Sequence, residues 1–226
     1  PGFSMFGGVS CQECHMPLKN NGYHDHSFVG VDIDLSIPIE LNPLFESVSN
    51  LLSSSAEVNF GVLNDSLTTS ITPGDTLELP LTVTSLTAHS LPSGTSFNRE
   101  VWMEIVLSNN SEVIYSSGKI DNDEMLDYSD NNLLYFKSYL YDENGEQTHN
   151  VSDVYSMENF SLNAYQERYK IYNIYIPENL NGNLSVSVRL LFRSFNPEFI
   201  LQHHPEFLNN LHIFEISSIY STISLD

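Results

Sequence analysis

The sequence predicts a mainly β fold. An immunoglobulin-like β-sandwich is expected over residues 56–226, preceded by residues 1–55, which hold an irregular segment and one amphipathic helix. Three observations lead to this reading. From Val58 onward apolar residues recur at every second position in short runs. Turn-forming residues separate those runs. Before residue 56 the pattern is either absent or has a helical period. A chain of 226 residues is long enough to bury a substantial core in such a sandwich.

Taken in order, Pro1 to Val31 is rich in Gly and His and shows no sustained period. It is expected to order by wrapping on a ligand rather than on itself. From Pro38 to Ser54 the apolar positions Leu41, Leu44, Phe45, Val48, Leu51 and Leu52 have helical spacing, predicting one amphipathic helix that ends at Ser53-Ser54-Ser55. Strands follow at Val58–Val62, Leu77–Val83, Val101–Ile105, Glu112–Ser116, Leu133–Tyr141, Tyr169–Ile176 and Leu184–Phe192. Turn signals punctuate them at Pro73-Gly74-Asp75, Ser108-Asn109-Asn110 and Asn144-Gly145. Pro197–Leu211 reads as a helical excursion before a last strand, Ile213–Ile223.

Charge excludes some partners. The chain carries 29 Asp and Glu against 8 Lys and Arg, a formal net charge of −21. Such a surface repels a phosphate backbone and anionic lipid, so no nucleic-acid binding is expected. The bland reading of the acidity is solubility of a secreted protein. No run of about 18 apolar residues occurs, so no membrane span is expected. Pro1-Gly2-Phe3 has neither an initiator Met nor a signal-peptide pattern, and reads as the start of a mature or trimmed chain.

The chemistry is concentrated in Cys11-Gln12-Glu13-Cys14-His15-Met16-Pro17, which contains both cysteines of the protein. Two thiols separated by two residues, with a histidine directly after the second, is the pattern that holds a c-type haem. The thiols form thioethers to the macrocycle and the imidazole ligates the iron. A zinc site lacks a second cysteine pair, and a thioredoxin-like dithiol lacks its βαβ context. Covalent haem is therefore the leading expectation, with zinc and a dithiol as the rivals. Cys11, Cys14 and His15 would carry the haem.

The sixth iron position decides between electron transfer and catalysis. Candidate donors are His24, His26, His89, His149, His203, His204 and His212; for most of them the plain reading is a surface or hydrogen-bonded histidine. His26 stands out because it lies close to the attachment site, with Phe28 beside it as a haem-packing ring. His89 stands out because Pro92 and Gly94 constrain its loop, Ala88-His89-Ser90-Leu91-Pro92-Ser93-Gly94. Both remain open as the distal ligand. The run Asp121-Asn122-Asp123-Glu124, continuing to Asp127 and Asp130, offers oxygen ligands for Ca2+. It lacks the Gly and terminal Glu of an EF-hand loop, and a solvated acidic loop is the simpler reading.

Several blocks together carry a family resemblance. GVSCQECHMP, then His26-Ser27-Phe28-Val29-Gly30, TAHSLPSG, Arg99-Glu100-Val101-Trp102-Met103-Glu104, Ser116-Ser117-Gly118 and Val188-Arg189-Leu190-Leu191-Phe192-Arg193 resemble the C-terminal part of periplasmic or extracellular multihaem c-type cytochromes. The resemblance implies that Cys11 and Cys14 are thioether attachments and that His15 is the proximal ligand. It further implies that His26 serves a neighbouring haem and that His89 is a ligand from the loop opening the β domain. It places the chain in the periplasm or outside the cell, among redox partner proteins and other haem-bearing subunits or an upstream multihaem region. A homo-oligomer or filament is compatible with it. The chain departs from the family in having one attachment motif instead of several, and in Ala88 and Ser93 where Gly and Thr are usual. The function expected is electron transfer. The alternatives are a redox enzyme subunit acting on a small oxyanion, for which no basic cluster is visible, and a structural module that polymerises cytochrome subunits.

Overall fold

The computed structural model describes residues 10–61 and 67–226. Residues 1–9 of the expected irregular segment, and Val62 at the end of the first expected strand, lie outside the described residues. The segment expected to be irregular contains a short helix, α1 (Cys11–His15). Its start is a capping box: the Ser10 hydroxyl accepts from the Glu13 backbone N–H, and the Glu13 carboxylate accepts from the Ser10 N–H. These hydrogen bonds hold the Glu13 carboxyl below the usual carboxylate range.

The single helix expected over Pro38–Ser54 is divided. A 3-10 turn covers Ile39–Leu41, and the helix proper is α2 (Phe45–Ser53). Pro43 is the physical reason. The residue before a proline is driven out of the helical region, and Asn42 is accordingly extended at φ −72°, ψ 117°. The Asn42 side chain then serves the new boundary, donating to the Asp34 carbonyl (2.9 Å) and accepting from the Leu44 N–H (3.1 Å). Val48 and Leu52 face the core, whereas Leu41 stays exposed. At the far end the hydroxyls of Ser53, Ser54 and Ser55 donate to the carbonyls of Asn50, Leu51 and Leu52, which satisfies groups that a helix terminus leaves open.

The protein is mainly β, with two sheets packed on one core. The first contains β1 (Ala56–Phe60), β3 (Thr76–Ser85) and β9 (Glu167–Tyr175), with β3 central and both pairings antiparallel. The second runs in the order β2 (Ser70–Ile71), β11 (Phe214–Leu225), β10 (Asn183–Arg193), β4 (Glu100–Asn109) and β5 (Glu112–Ser117). Only β2 lies parallel to its neighbour in that sheet. Leu133–Tyr141, expected as one strand, is two: β6 (Tyr135–Phe136) pairs with β4, while β7 (Ser138–Tyr141) forms a ribbon with β8 (Ser156–Asn159). The helical excursion is α3 (Pro197–His203), capped by the Asn196 side chain, followed by a 3-10 stretch over Pro205–Asn210.

Alternation along the strands places Leu77, Leu79, Leu81 and Val83 of β3 against Val101, Met103 and Ile105 of β4 and Val186, Val188 and Leu190 of β10 in one core. The other face of the large sheet is covered as well. Residues 118–135 fold back over it, and Leu126 and Leu133 pack on Trp102 and Leu191. The Trp102 indole donates to the Gly118 carbonyl at 2.8 Å. This cover explains why Glu100 through Ile105 are all buried, although alternate residues point away from the main core.

Charges lie beneath the cover. Arg193 is fully buried and forks onto Glu100 at 2.6 and 2.9 Å, and its remaining nitrogen donates to the carbonyls of Asn122 and Glu124. Lys137 approaches the same carboxylate at 3.7 Å, and the Tyr128 hydroxyl donates to it. The acidic run 121–130 is thus part of this lid. Asp127 and Asp130 accept hydrogen bonds from Ser129 and Ser117, and no three His, Cys, Asp or Glu side chains converge on a metal position among the described residues.

Candidate functional site

A helix of 3.6 residues per turn puts positions i, i+3 and i+4 on one face. In α1 those positions are Cys11, Cys14 and His15. Both thiols are free and exposed, and no residue of the helix is buried. The His15 imidazole is half-buried and meets two other rings. Phe28 stacks on it with ring centres 5.0 Å apart and planes 20° from parallel; His89 faces it at 6.2 Å and 23°. Residues separated by 74 positions in the chain therefore converge on one imidazole.

Each histidine of this pair is oriented through Nδ1. That of His15 lies 3.3 Å from the Val29 carbonyl, and that of His89 lies 3.0 Å from the Ser90 carbonyl. A carbonyl oxygen only accepts, so both bonds require the proton on Nδ1. The lone pair is then left on Nε2 in both rings. This is the state in which neutral imidazoles coordinate metals, with a carbonyl behind each ring to fix its tautomer and direction.

The elements that hold the two rings are distinct. The segment after α1 reaches the sandwich through Val29, Val31 and Ile33, which pack on the core, and through the Ser194 hydroxyl, which donates to the Val31 carbonyl at 2.9 Å. Phe28 itself has φ 48°, an uncommon backbone state for a bulky residue. The Asp25 carboxylate sets up the turn before it by accepting from the Ser27 N–H. That bond, with help from Lys19, pulls the Asp25 carboxyl down to about 2. His89 lies in the loop that leaves β3. Leu91 anchors this loop by a pair of 2.8 Å backbone hydrogen bonds to Leu162, and the Leu91–Pro92 peptide is cis.

Of the remaining candidates, His26 is exposed and meets neither His15 nor His89 among the described residues. His24 is occupied, its Nδ1 lying 2.6 Å from the Met16 carbonyl. His149 packs on Phe199 beside Asn98, and His212 packs on Phe45 and Phe214; burial pushes both imidazoles below their ordinary range. His203 also meets Phe199, and His204 pairs with Glu206.

Sequence reasoning did not single out Arg99. Its guanidinium donates to the Ser93 carbonyl and to Asp32, each at 2.6 Å, and so touches the segment after α1 and the His89 loop together. The signal in sequence was slight: one of only eight basic residues, directly before a strand.

No family model matches the chain, and no curated protein matches it. Among solved structures it is similar to a penta-heme cytochrome c552 from Thermochromatium tepidum, with a TM-score of 0.63 and 18% identity. The likeness covers 94% of this chain and 47% of that one, so the chain spans about half of that cytochrome's length. A β-glucosidase from Listeria innocua in complex with glucose is similar only at a TM-score of 0.27 and 11% identity, over 72% of this chain and 16% of that one, and carries no argument. At 18% identity the first likeness establishes a fold: nearly the whole chain has the fold of a part of the cytochrome.

Proposed function

We propose that the protein transfers electrons through a covalently bound c-type haem with two histidine ligands, His15 and His89. The observation that carries this reading is the preset pair of imidazoles, each with Nδ1 on a carbonyl and Nε2 left to coordinate. The donor set fits the group: two imidazoles whose ring centres lie 6.2 Å apart would hold the iron between their segments. The attachment residues fit as well: Cys11 and Cys14 are free, exposed and on the same helical face as His15. We read the strand order, β1-β3-β9 over β11-β10-β4-β5, as an immunoglobulin-like sandwich whose loop after β3 supplies His89.

When bound, the haem supplies a reversible one-electron iron couple. The chain's own contributions are separable. Cys11 and Cys14 would tether the haem, His15 and His89 would ligate its iron, and Phe28 braces the His15 ring from one side. An iron held by two imidazoles would favour electron transfer over reaction with a substrate. The net charge of −21 favours the more positive, oxidised state and so lowers the potential. His26, exposed and unused by this pair, is left to serve a haem outside the described residues, in an upstream multihaem region or another haem-bearing subunit. Its redox partners would present basic surfaces to this acidic one. A periplasmic or extracellular location follows from this reading.

The test is a pyridine haemochrome spectrum of the protein produced with haem-attachment machinery. One covalent haem per chain is expected, and its absence refutes the proposal. In His89→Ala the haem stays attached and the ferric spectrum turns high-spin. An unchanged low-spin spectrum would transfer the distal role to another histidine.

A further inference from the structure

Two ligands supplied by separate segments need something to keep those segments in register. His15 is oriented by the Val29 carbonyl, three residues before Asp32, and His89 stands four residues before Ser93. The first segment is docked on the sandwich by the Ser194–Val31 bond and by the Asn210 side chain on the Leu35 carbonyl, neither of which touches the His89 loop. The His89 loop is docked by Leu91 on Leu162, which does not touch the first segment. Among the described residues, Arg99 is the side chain with a hydrogen bond to each. One end of its fork is on Asp32, and the other is on the Ser93 carbonyl.

Resting on the reading above, we infer that Arg99 is the positioning residue of the axial pair, a latch that holds the His15 segment and the His89 loop at ligating distance. Three features support the assignment. Only a planar fork reaches two acceptors at once in fixed directions; a lysine ammonium at the same place makes one of these contacts and leaves the other carbonyl or carboxylate unserved. The loop makes room for the fork at Gly94, where a Cβ would stand 2.8 Å from Arg99 Nη1 and where φ is +66°. Lastly, the buried Nε of Arg99 has no hydrogen-bond partner. Its orientation is therefore set by the two end contacts, at the expense of a donor left unserved.

The experiment uses Arg99→Ala, Arg99→Lys, Asp32→Asn and Gly94→Ala in the haem-loaded protein. Haem content is read by pyridine haemochrome, ferric spin state by visible and electron paramagnetic resonance spectra, and access to the iron by the rate of cyanide binding. Haem content should stay at the wild-type value, because Cys11, Cys14 and His15 are untouched. A high-spin fraction should appear, and cyanide should bind at least about tenfold faster in Arg99→Ala, the change that a loss of about 1.4 kcal/mol from the His89-bound state produces. Arg99→Lys and Gly94→Ala should follow in the same direction, and Asp32→Asn more weakly. A residue that merely supports the fold would lower the unfolding midpoint and leave the spin state of the folded protein alone. Folded Arg99→Ala with wild-type spin state and cyanide rate overturns the latch. If Arg99→Ala fails to fold, wild-type spectra and rates in Arg99→Lys and Gly94→Ala overturn it equally. Failure of the underlying reading looks different: it shows in the wild-type protein, as absent haem, or in His89→Ala, as an unchanged spectrum.

Discussion

Replacing Glu100 by Gln keeps the shape of the side chain and removes the one negative charge at the centre of the buried network. Arg193, with no exposed surface, would then keep its charge with only neutral acceptors, the new amide oxygen and the Asn122 and Glu124 carbonyls. It cannot escape by deprotonation, since guanidinium stays charged throughout the accessible pH range. Breaking a buried pair by removing one partner costs about 3–5 kcal/mol, a large share of the roughly 5–15 kcal/mol that a folded domain has to lose. With a urea slope of about 2–3 kcal/mol/M, the unfolding midpoint should fall by about 1–2.5 M. Lys137 adds a second signature. Burial already pushes its ammonium below the ordinary range, and Glu100 partly opposes that shift. Without the carboxylate the depression deepens. The unfolded state then binds more protons than the folded one up to the ordinary lysine range, so stability of the variant should rise with pH on the approach to about pH 10 more steeply than that of the wild type. The assay is urea unfolding followed by Trp102 fluorescence at several pH values. A midpoint shift below about 0.4 M would mean a contribution under about 1 kcal/mol, no more than a surface ion pair makes, and would refute the assignment of a central role to this network.

Gly118→Ala should destabilise by about 2–4 kcal/mol in the same assay, because a Cβ there meets the Met103 carbonyl at 2.5 Å and the residue has φ +68°. His149 and His212 are both pushed below the ordinary imidazole range by burial. Their contribution is complete above about pH 6.5 and is lost as pH falls from there, so a His149→Asn/His212→Asn double variant should show a flatter stability profile just below about pH 6.5. Raising ionic strength from about 0.01 to 0.15 M shortens the screening length from about 30 to 8 Å. The wild-type melting temperature, read by circular dichroism, should rise across that range, since a chain of net charge −21 repels itself.

Much of the architecture was legible because alternation is a local signal. The runs that became β3, β4, β9, β10 and β11 each carried it within ten or so residues. Where a single residue overrode the pattern, the reading went astray. Pro43 broke a helix whose apolar spacing ran straight through it. Lys137 sits between β6 and β7, where the chain leaves one sheet for a ribbon, and its ammonium turns under the lid to Glu100. The capping box Ser10–Glu13 was in the sequence, and it marks a helix start at Cys11 that the glycine-rich surroundings obscured. At the site, Cys11, Cys14 and His15 were readable as a motif, because their chemistry depends on spacing along the chain. His89 was offered by its constrained loop, but only as one of two candidates beside His26; that it is the one near His15 depends on how a loop after β3 returns to a segment 74 residues earlier. Arg99 was not readable, since its partners Asp32 and Ser93 lie on either side of β3 in the chain and acquire their meaning only when both are docked.

The facing of His15 and His89 also bears on folding itself. The two cysteines are too close in sequence for a disulfide between them to restrain much of the chain. Under the proposed ligation, however, they act with His15 as one end of a cross-link whose other end is His89, and it closes a loop of about 75 residues. In the chain-entropy account a link around a loop of that size restricts the unfolded ensemble by about 4.5 kcal/mol. The loop encloses α2, β1, β2 and β3, which join the N-terminal segment to both sheets. The redox centre would then double as a staple of the sandwich, part thioether and part coordinate bond, and loss of the His89 ligand would register as a lower unfolding midpoint as well as a changed colour.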